Sequence, residues 1–212
     1  FLLNIFLNKK DILIAQTNEM FSILVSNFRS NKIINQYEIW GEIEKKNIKI
    51  MNKLFKNKPS PLISQIKKLS NKNVLFFYPA ALYAHKNHKN LIEAIKLLER
   101  DKLKKFKLIL TIKESDLQKF SMNNKSNIIC LGKVDYFDVL RIYQFVDYLV
   151  FPSITESFGL PLLEAKINDT KIISSNLNYV FDICFPERVF NPFDIKDIYK
   201  QLKLTLENKN KL

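Results

Sequence analysis

The chain has 212 residues, of which 47% are hydrophobic and 12% aromatic, so it can bury a sizeable core and is not a disordered polymer. Its 34 Lys and Arg against 21 Asp and Glu give a net charge of +13, which favours anionic partners: nucleic acid, phosphate-bearing small molecules or an acidic membrane face. Most of the excess is lysine scattered among Asn and Ile, which we interpret mainly as a solvated basic surface. Two cysteines, Cys130 and Cys184, are too few for a disulfide framework and indicate reduced thiols in a cytoplasmic protein.

The first part of the chain differs in pattern from the rest. The opening FLLNIFL is too short to span a bilayer and has no initiating Met or signal-cleavage pattern, which we interpret as a fragment of a longer protein. A strand and turn over DILIAQT and a helix from Met20 to Phe28 are expected, followed by an Asn- and Lys-rich connection that runs to Pro59 and Pro61. Because one strand and one helix do not make a domain, residues 1–58 are predicted to be the tail of a truncated N-terminal domain plus an interdomain connection.

Residues 59–212 alternate short apolar runs with helical patterns. Strands are predicted for NVLFFYPA, FKLILTI, NIICLG, YLVFPS and KIISS, and helices for NLIEAIKLLE, DYFDVLRIYQFVDY, LPLLEAKI and DIKDIYKQLKLTLE. Near-continuous apolar strands separated by helices are typical of a parallel sheet covered on both faces, so we predict an α/β, Rossmann-like domain. Ligands of such sheets bind at the carboxyl ends of the strands.

The loop after YLVFPS carries two acids, within the segment FPSITESFGLPLLEA. Gly159 and Pro161 exclude one continuous helix, and Pro161 suits the first helical position, which places Glu156 in the loop and Glu164 one turn inside the next helix. Backbone amides at a helix start favour an anion, and carboxylates accept hydrogen bonds from vicinal hydroxyls, so the segment suits a ligand with hydroxyls and a phosphate. From spacing alone, two solvated helix-end acids are the more frequent explanation of such a pair.

A second polar loop, YPAALYAHKNHKN, follows the first strand of this domain and holds both histidines, His85 and His88, with Lys86 and Lys89. A basic loop at the end of a strand is well placed for a diphosphate. Two alternatives stay open: a polar helix start with Asn87 as its N-cap, or a metal bound by the two histidines, for which a third ligand is missing. Nucleic-acid binding is not expected, since no basic helix or aromatic platform accompanies the charge.

Taken in chain order, these segments resemble glycosyltransferase family 4, a retaining group with the two-domain GT-B fold. FPSITESFGLPLLEA is similar to the family's Glu-x7-Glu signature, and YPAALYAHKNHKNLIEAI to its HKNH loop and following helix. IICLGKV…VLRIYQFVDYLVFPS and KIISSNLNYVFDIC…RVFNPFDIKDI resemble the intervening and closing stretches, so the similarity runs from residue 73 to residue 200. It implies that residues 59–212 are the donor-binding half of a GT-B fold, truncated near its C-terminal end.

The resemblance implies roles for the matching residues. Glu164 would hold the ribose hydroxyls of a nucleotide sugar, and Glu156 would contact the hydroxyls of the transferred sugar. Lys86 would neutralise the diphosphate leaving group without a metal ion or other cofactor, which makes Glu156 and Lys86 the expected catalytic residues. The further donor-binding residues expected by similarity are His85, Ser157, Phe158, Gly159 and Leu160.

The implied function is retaining transfer of a sugar from a nucleotide diphosphate sugar to a saccharide or lipid-linked acceptor, in cell-surface polysaccharide or lipopolysaccharide assembly. The expected location is the cytoplasm, with peripheral contact at the anionic inner face of a membrane.

Ala81 stands where many family members carry Arg, and Asp182 where Glu is common. The alternative is therefore a non-catalytic or decayed nucleotide-sugar-binding fragment. A chain that lacks its acceptor domain is not expected to turn over.

Overall fold

The protein is described here by a computed structural model, which covers residue 8 and residues 10–15, 18–55, 58–101, 105–120 and 127–208. The FLLNIFL segment and the end of DILIAQT lie outside the described residues. The strands are β1 (Ile12–Ala15), β2 (Lys32–Asn35), β3 (Val74–Tyr78), β4 (Phe106–Leu110), β5 (Ile128–Cys130), β6 (Tyr148–Phe151), β7 (Lys171–Ser175) and β8 (Arg188–Phe190). The α-helices are α1 (Asn18–Asn27), α2 (Gln36–Phe55), α3 (Pro61–Ser70), α4 (His88–Arg100), α5 (Glu114–Leu117), α6 (Tyr136–Ile142), α7 (Leu160–Ile167), α8 (Asn178–Phe181) and α9 (Ile195–Asn208).

Six of the strands form one sheet in the order β5-β4-β3-β6-β7-β8, and every neighbouring pair is parallel. All five residues of β3 and all four of β6 are buried. Because successive side chains of a strand point to opposite faces, these strands are covered on both faces. The predicted Rossmann-like parallel sheet is therefore confirmed.

The strand order reverses between β3 and β6, the two central strands. β4 and β5 lie on one side of β3, whereas β7 and β8 lie on the far side of β6. The loops that leave the carboxyl ends of β3 and β6 therefore diverge from neighbouring points and open a crevice between them. Both polar loops singled out in the sequence follow these two strands.

The predicted helices occur, with corrected bounds. α7 and β7 coincide with LPLLEAKI and KIISS. α4 contains the predicted helix NLIEAIKLLE and buries its apolar face. The helix predicted over DYFDVLRIYQFVDY is too long, because α6 ends at Ile142 and Tyr148 already begins β6. In the turn between them the carboxylate of Asp147 accepts the backbone N–H of Leu75 at 2.8 Å, which joins this turn to β3. A helix that the sequence did not predict, α3, begins after Ser60, whose hydroxyl accepts the N–H of Ile63.

The N-terminal part contains more regular structure than the sequence indicated. β1 and β2 form a separate two-stranded parallel sheet, with α1 between them in the chain. The 20-residue α2 then occupies most of the stretch interpreted as a connection, and it packs against α6 and α7. Ile48 of α2 is fully buried. The Asn and Lys residues around these elements obscure their apolar periodicity in the sequence. Among the described residues, no helix is long and apolar enough to cross a membrane.

Candidate functional site

A cavity of about 710 Å³ lies at the carboxyl edge of the sheet. Its walls come from the loops that follow β3, β4, β5 and β6, together with the start of α7. Residues from separate segments of the sequence therefore lie side by side around this cavity. The cavity is therefore the ligand crevice expected at the point where the strand order reverses.

An ion pair joins the two polar loops inside this cavity. The ammonium Nζ of Lys86 lies 2.7 Å from Oε1 and 2.8 Å from Oε2 of Glu156, although the residues are 70 positions apart in the chain. Their side chains are only 17% and 9% exposed, respectively. Because both charges are largely withdrawn from water, each depends on the other for compensation.

The backbone on either side of this ion pair is fixed by short contacts between the same loops. The phenol of Tyr78 donates a hydrogen bond of 2.8 Å to the carbonyl of Lys86 and lies 2.8 Å from the hydroxyl of Ser153. The N–H of Ile154 donates to the carbonyl of His85 at 2.8 Å. Burial raises the pKa of Tyr78 well above its ordinary value, so its phenol remains protonated at neutral pH.

Glu164 also lines the cavity, one turn inside α7. It is 4% exposed, and its Oε2 accepts a hydrogen bond of 3.0 Å from the phenol of Tyr143. Burial and the nearby charge of Glu164 both raise the pKa of Tyr143 well above its ordinary value. This phenol is therefore a permanent donor that orients the carboxyl group of Glu164.

The start of α7 supplies the backbone part of the site. Gly159 is the N-cap residue with φ 71°, a left-handed conformation that favours glycine. A Cβ atom on Gly159 would lie 2.8 Å from Cδ1 of Ile183. Ser157, Phe158, Gly159 and Leu160 all line the cavity, so the N-terminus of α7 opens onto it. Leu160 is the first residue of the helix, so Pro161 occupies the second helical position and not the predicted first.

The two histidines have separate environments. His85 is exposed, stacks on Tyr83 with a ring-centroid distance of 5.8 Å, and is not among the residues that line the cavity. His88 is buried, with its ring centroid 4.9 Å from that of Tyr78. Burial lowers its pKa to about 4, an effect that the backbone of Ala80 partly opposes. Neither ring nitrogen of His88 reaches a hydrogen-bond partner with good geometry among the described residues.

Metal ligation by the histidines has no geometric support in the described ranges, where no group of three or more His, Cys, Asp or Glu side chains could hold a metal ion. The alternative for Asn87 is also altered by the structure. Asn87 does occupy the N-cap position of α4, but its side chain makes no capping hydrogen bond. Its amide group has other partners, described below.

Sequence reasoning missed several residues of the cavity. Lys113 and Lys133 line it from the loops after β4 and β5, and Ala81 lines it where an arginine was expected by similarity. The position of each lysine directly after a strand was the only available signal. Asp182, by contrast, accepts a 3.4 Å hydrogen bond from Asn18 and does not line the cavity. These lysines place further positive charge in a cavity that is without the expected Arg.

A doubly wound parallel sheet with a charged crevice at its switch point defines a Rossmann-like α/β domain. The family profile described as "Glycosyl transferases group 1" matches residues 59–212. Because this match covers more than half of the 212 residues, the chain belongs to that family of glycosyltransferases.

Curated relatives include the serotype-specific mannosyltransferase WbdA of Escherichia coli. One such protein is 27% identical over 137 residues, which covers 60% of this chain and 17% of the relative. Another of the same name and organism is 31% identical over 84 residues, covering 39% of this chain and 10% of the relative. The matched segment thus spans less than a fifth of the length of these relatives.

Solved structures show the same fold at low identity. HepE of Anabaena, in complex with UDP and glucose, has a TM-score of 0.64 and 17% identity, covering 94% of this chain and 55% of that chain. A glycosyltransferase of Rickettsia africae has a TM-score of 0.64 and 16% identity, with coverages of 92% and 53%. An α,α-trehalose-phosphate synthase of Burkholderia xenovorans, with glucose-6-phosphate, has 0.61 and 13%, with coverages of 76% and 42%. The fold is that of one Rossmann-like half of the GT-B glycosyltransferases, as the sequence predicted.

Proposed function

We propose that this chain forms the donor site of a glycosyltransferase that transfers a sugar from a nucleotide diphosphate sugar to a saccharide or lipid-linked acceptor, with retention of anomeric configuration. The observation that carries the proposal is the Lys86–Glu156 ion pair, which opens onto the same cavity as Glu164. A cation, two carboxylates and a helix N-terminus meet there. The cavity volume falls within the range of about 300–1,000 Å³ that is usual for small-molecule sites.

In this proposal the nucleoside is bound at the Glu164 wall. A carboxylate accepts hydrogen bonds from two vicinal hydroxyls, and Tyr143 holds this carboxylate in one orientation. The amides of Ser157, Phe158, Gly159 and Leu160 surround the start of α7, where the helix dipole favours the negative charge of a diphosphate. Glu164 and these amides are close in sequence, so one short segment would bind both the ribose and a phosphate.

Lys86 and Glu156 act at the bond that breaks. When the bond between the anomeric carbon and the diphosphate oxygen of the donor breaks, the nucleoside diphosphate leaves as an anion and the anomeric carbon gains positive character. The acceptor hydroxyl forms the new bond to this carbon on the same face, and its proton passes to the departing phosphate oxygen. The ammonium group of Lys86 stabilises the anion, and Glu156 accepts hydrogen bonds from hydroxyls of the transferred sugar. Donor binding therefore requires Lys86 to move from Glu156 towards the phosphate or to bridge both. Leaving-group stabilisation comes from the chain itself, and we propose no metal ion or other cofactor.

The proposed setting is the assembly of cell-surface polysaccharide or lipopolysaccharide, which is supported by the similarity to serotype-specific mannosyltransferases. The net charge of +13 supports peripheral contact with an anionic membrane surface on the cytoplasmic side. Sedimentation with vesicles of phosphatidylglycerol and phosphatidylcholine tests this contact. Binding should weaken as salt is raised from 50 to 300 mM, and binding that is indifferent to salt would contradict it.

Calorimetric titration tests the donor site directly. UDP, GDP and ADP, alone and sugar-linked, are titrated into the wild type, Glu164→Ala and the matched control Glu187→Ala. Glu187 also forms an ion pair with a lysine, Lys171, at 3.0 Å, but it does not line this cavity. We expect one nucleotide to bind to the wild type and the control, and to lose at least tenfold in affinity in Glu164→Ala.

Two results would count against the proposal. Absence of binding to a chain that circular dichroism shows to be folded would favour the non-catalytic or decayed fragment instead. Binding that survives Glu164→Ala unchanged would place the nucleotide outside this cavity.

A further inference from the structure

Asn87, the residue directly after Lys86, has an unusual backbone conformation. Its φ of 56° and ψ of 32° lie in the left-handed region, and Asn87 is only 7% exposed. Apart from glycine, asparagine is among the few residue types that adopt this conformation readily. The chain therefore makes a sharp change of direction between Lys86 and the first residue of α4, with a buried polar side chain at the corner.

The side-chain amide of Asn87 connects loops that are distant in sequence. Its Nδ2 donates hydrogen bonds to the carbonyl of Pro152 at 3.1 Å and to the carbonyl of Pro192 at 2.8 Å, and both bonds are buried. Pro152 directly follows β6, in the loop that leads to Glu156, and Pro192 follows β8. One amide group thus ties the loop of Lys86 to the loop of Glu156 and to the last loop at this edge of the sheet.

Glycine and aspartate, which resemble asparagine in backbone preference or in shape, each fail one of these requirements. Glycine accepts the backbone conformation but offers no donor, and aspartate has a similar shape but would present a carboxylate to two carbonyl oxygens. The amide of asparagine has two N–H donors, and the structure supplies two carbonyl acceptors. Because a buried carbonyl without its donor is costly, the loops are held in one arrangement.

We propose that Asn87 is a positioning residue for the donor site: it fixes the backbone next to Lys86 to the loop that leads to Glu156, and so sets where the Lys86 ammonium lies relative to the donor diphosphate. This inference rests on the proposed function, because its ligand is the nucleoside diphosphate of that proposal. The contact between Ile154 and the His85 carbonyl, at 2.8 Å, lies between the same two loops and reports on their separation.

The first test needs no nucleotide. Hydrogen exchange of the Ile154 amide is measured by NMR in the wild type, Asn87→Gly and Asn90→Ala. Glycine retains the left-handed backbone and removes both hydrogen bonds. Asn90→Ala is the matched control, since Asn90 donates to the same Pro192 carbonyl at 3.0 Å but, unlike Asn87, makes no hydrogen bond to the Pro152 carbonyl. We expect Asn87→Gly to accelerate exchange at Ile154 about tenfold or more and the control to change it less than about twofold. Equal exchange in all three proteins would overturn the proposal.

The second test measures the phosphate contribution to binding. Uridine and UDP, guanosine and GDP, and adenosine and ADP are titrated into the same three proteins. We expect Asn87→Gly to weaken the bound nucleoside diphosphate by roughly tenfold and the matching nucleoside by less than about twofold. Equal weakening of both ligands would show a general structural role and overturn the proposal.

A double-mutant cycle then asks whether Asn87 acts through Lys86. In a Lys86→Met background, Asn87→Gly should change diphosphate affinity by less than about twofold, because the cation that it positions is absent. Additive losses would overturn the proposal. If Asn87→Gly accelerates exchange at Ile154 but the wild type binds no nucleotide, the proposed function is refuted while the loop-positioning role stands. Unaltered exchange at Ile154 would refute the positioning role whatever the nucleotide does.

Discussion

The phenol of Tyr143 donates a 3.0 Å hydrogen bond to Glu164, and the two residues are 1% and 4% exposed. Tyr143 lies in the turn after α6, and Glu164 lies inside α7, 21 positions along the chain. A buried carboxylate needs donors to remain charged, and this phenol is one of them. The donor-binding role proposed for Glu164 therefore depends also on Tyr143, a residue that lies in no polar sequence motif.

Removing this donor should weaken the nucleoside part of binding. Tyr143→Phe retains the ring and leaves Glu164 with one donor fewer, so we expect affinity for the nucleoside and its diphosphate to fall equally, by about fivefold to tenfold. Calorimetry with both ligands measures this. The control is Tyr83→Phe, since Tyr83 has an exposed side chain and does not line the cavity. A loss confined to the diphosphate, or no loss, would contradict the role of Tyr143.

Removing the charge of Glu156 should separate diphosphate binding from sugar binding. In the structure this carboxylate holds Lys86 in a bidentate contact, so in the proposed site it would compete with the donor phosphate for the ammonium group. Glu156→Gln should therefore leave nucleoside diphosphate affinity unchanged or raise it by about threefold, while the intact nucleotide sugar binds about tenfold more weakly than to the wild type. Parallel titrations of the two ligands measure the difference. Glu187→Gln should change neither affinity, and a fall in diphosphate affinity in Glu156→Gln would contradict the competition.

Two glycines with similar positive φ angles allow the cost of backbone strain to be separated from the cost of steric crowding by an added Cβ atom. Gly132 has φ 67° and nothing within 4 Å of an added Cβ, whereas at Gly159, with φ 71°, the added atom would lie 2.8 Å from Ile183. Gly132→Ala should lower the free energy of unfolding by about 1 kcal/mol, and Gly159→Ala by about 2 kcal/mol or more. Urea unfolding measures both. Equal losses would show that Ile183 relaxes without cost.

The buried His88 should make the protein less stable in acid. Burial lowers its pKa from 6.5 to about 4 in the folded state. Between these values the unfolded state binds the proton and the folded state does not, so the free energy of unfolding decreases as the pH falls from 6.5 towards 4, by up to about 3 kcal/mol. Below pH 4 both states are protonated and this contribution no longer changes.

Replacement of His88 by Phe isolates this effect from the titration of carboxylates. His88→Phe keeps an aromatic ring against Tyr78 and removes the titrating group. Urea unfolding at pH 7 and pH 4.5 should give a markedly smaller loss for the variant than for the wild type. The same pH dependence in both proteins would contradict this prediction, because it would show that folding does not lower the pKa of His88.

The parts of the fold that were predictable depend on local pattern. The wholly apolar VLFFY and YLVF are strands, and LPLLEAKI is a helix, because burial on both faces and helical spacing leave a direct record in the sequence. The segments that escaped prediction are those in which few apolar residues are visible among Asn and Lys, such as β2 and α2. The packing partners of α2, helices α6 and α7, lie about a hundred positions away, so the local sequence pattern of α2 does not reveal them.

The sequence by itself determined strands β3 to β7 and helices α4, α6, α7 and α9, the family resemblance, and the placement of Lys86 and Glu156 in loops after strands. It determined these because each depends on neighbouring residues. Only the tertiary structure decided that Lys86 contacts Glu156, that Tyr143 supports Glu164, and that His85 lies outside the cavity while His88 is buried. It also decided that the side chain of Asn87, at the N-cap of α4, bonds two distant loops and makes no capping hydrogen bond. Each of these outcomes depends on which strands lie side by side, and that order is set by packing of the whole sheet and not by any single segment.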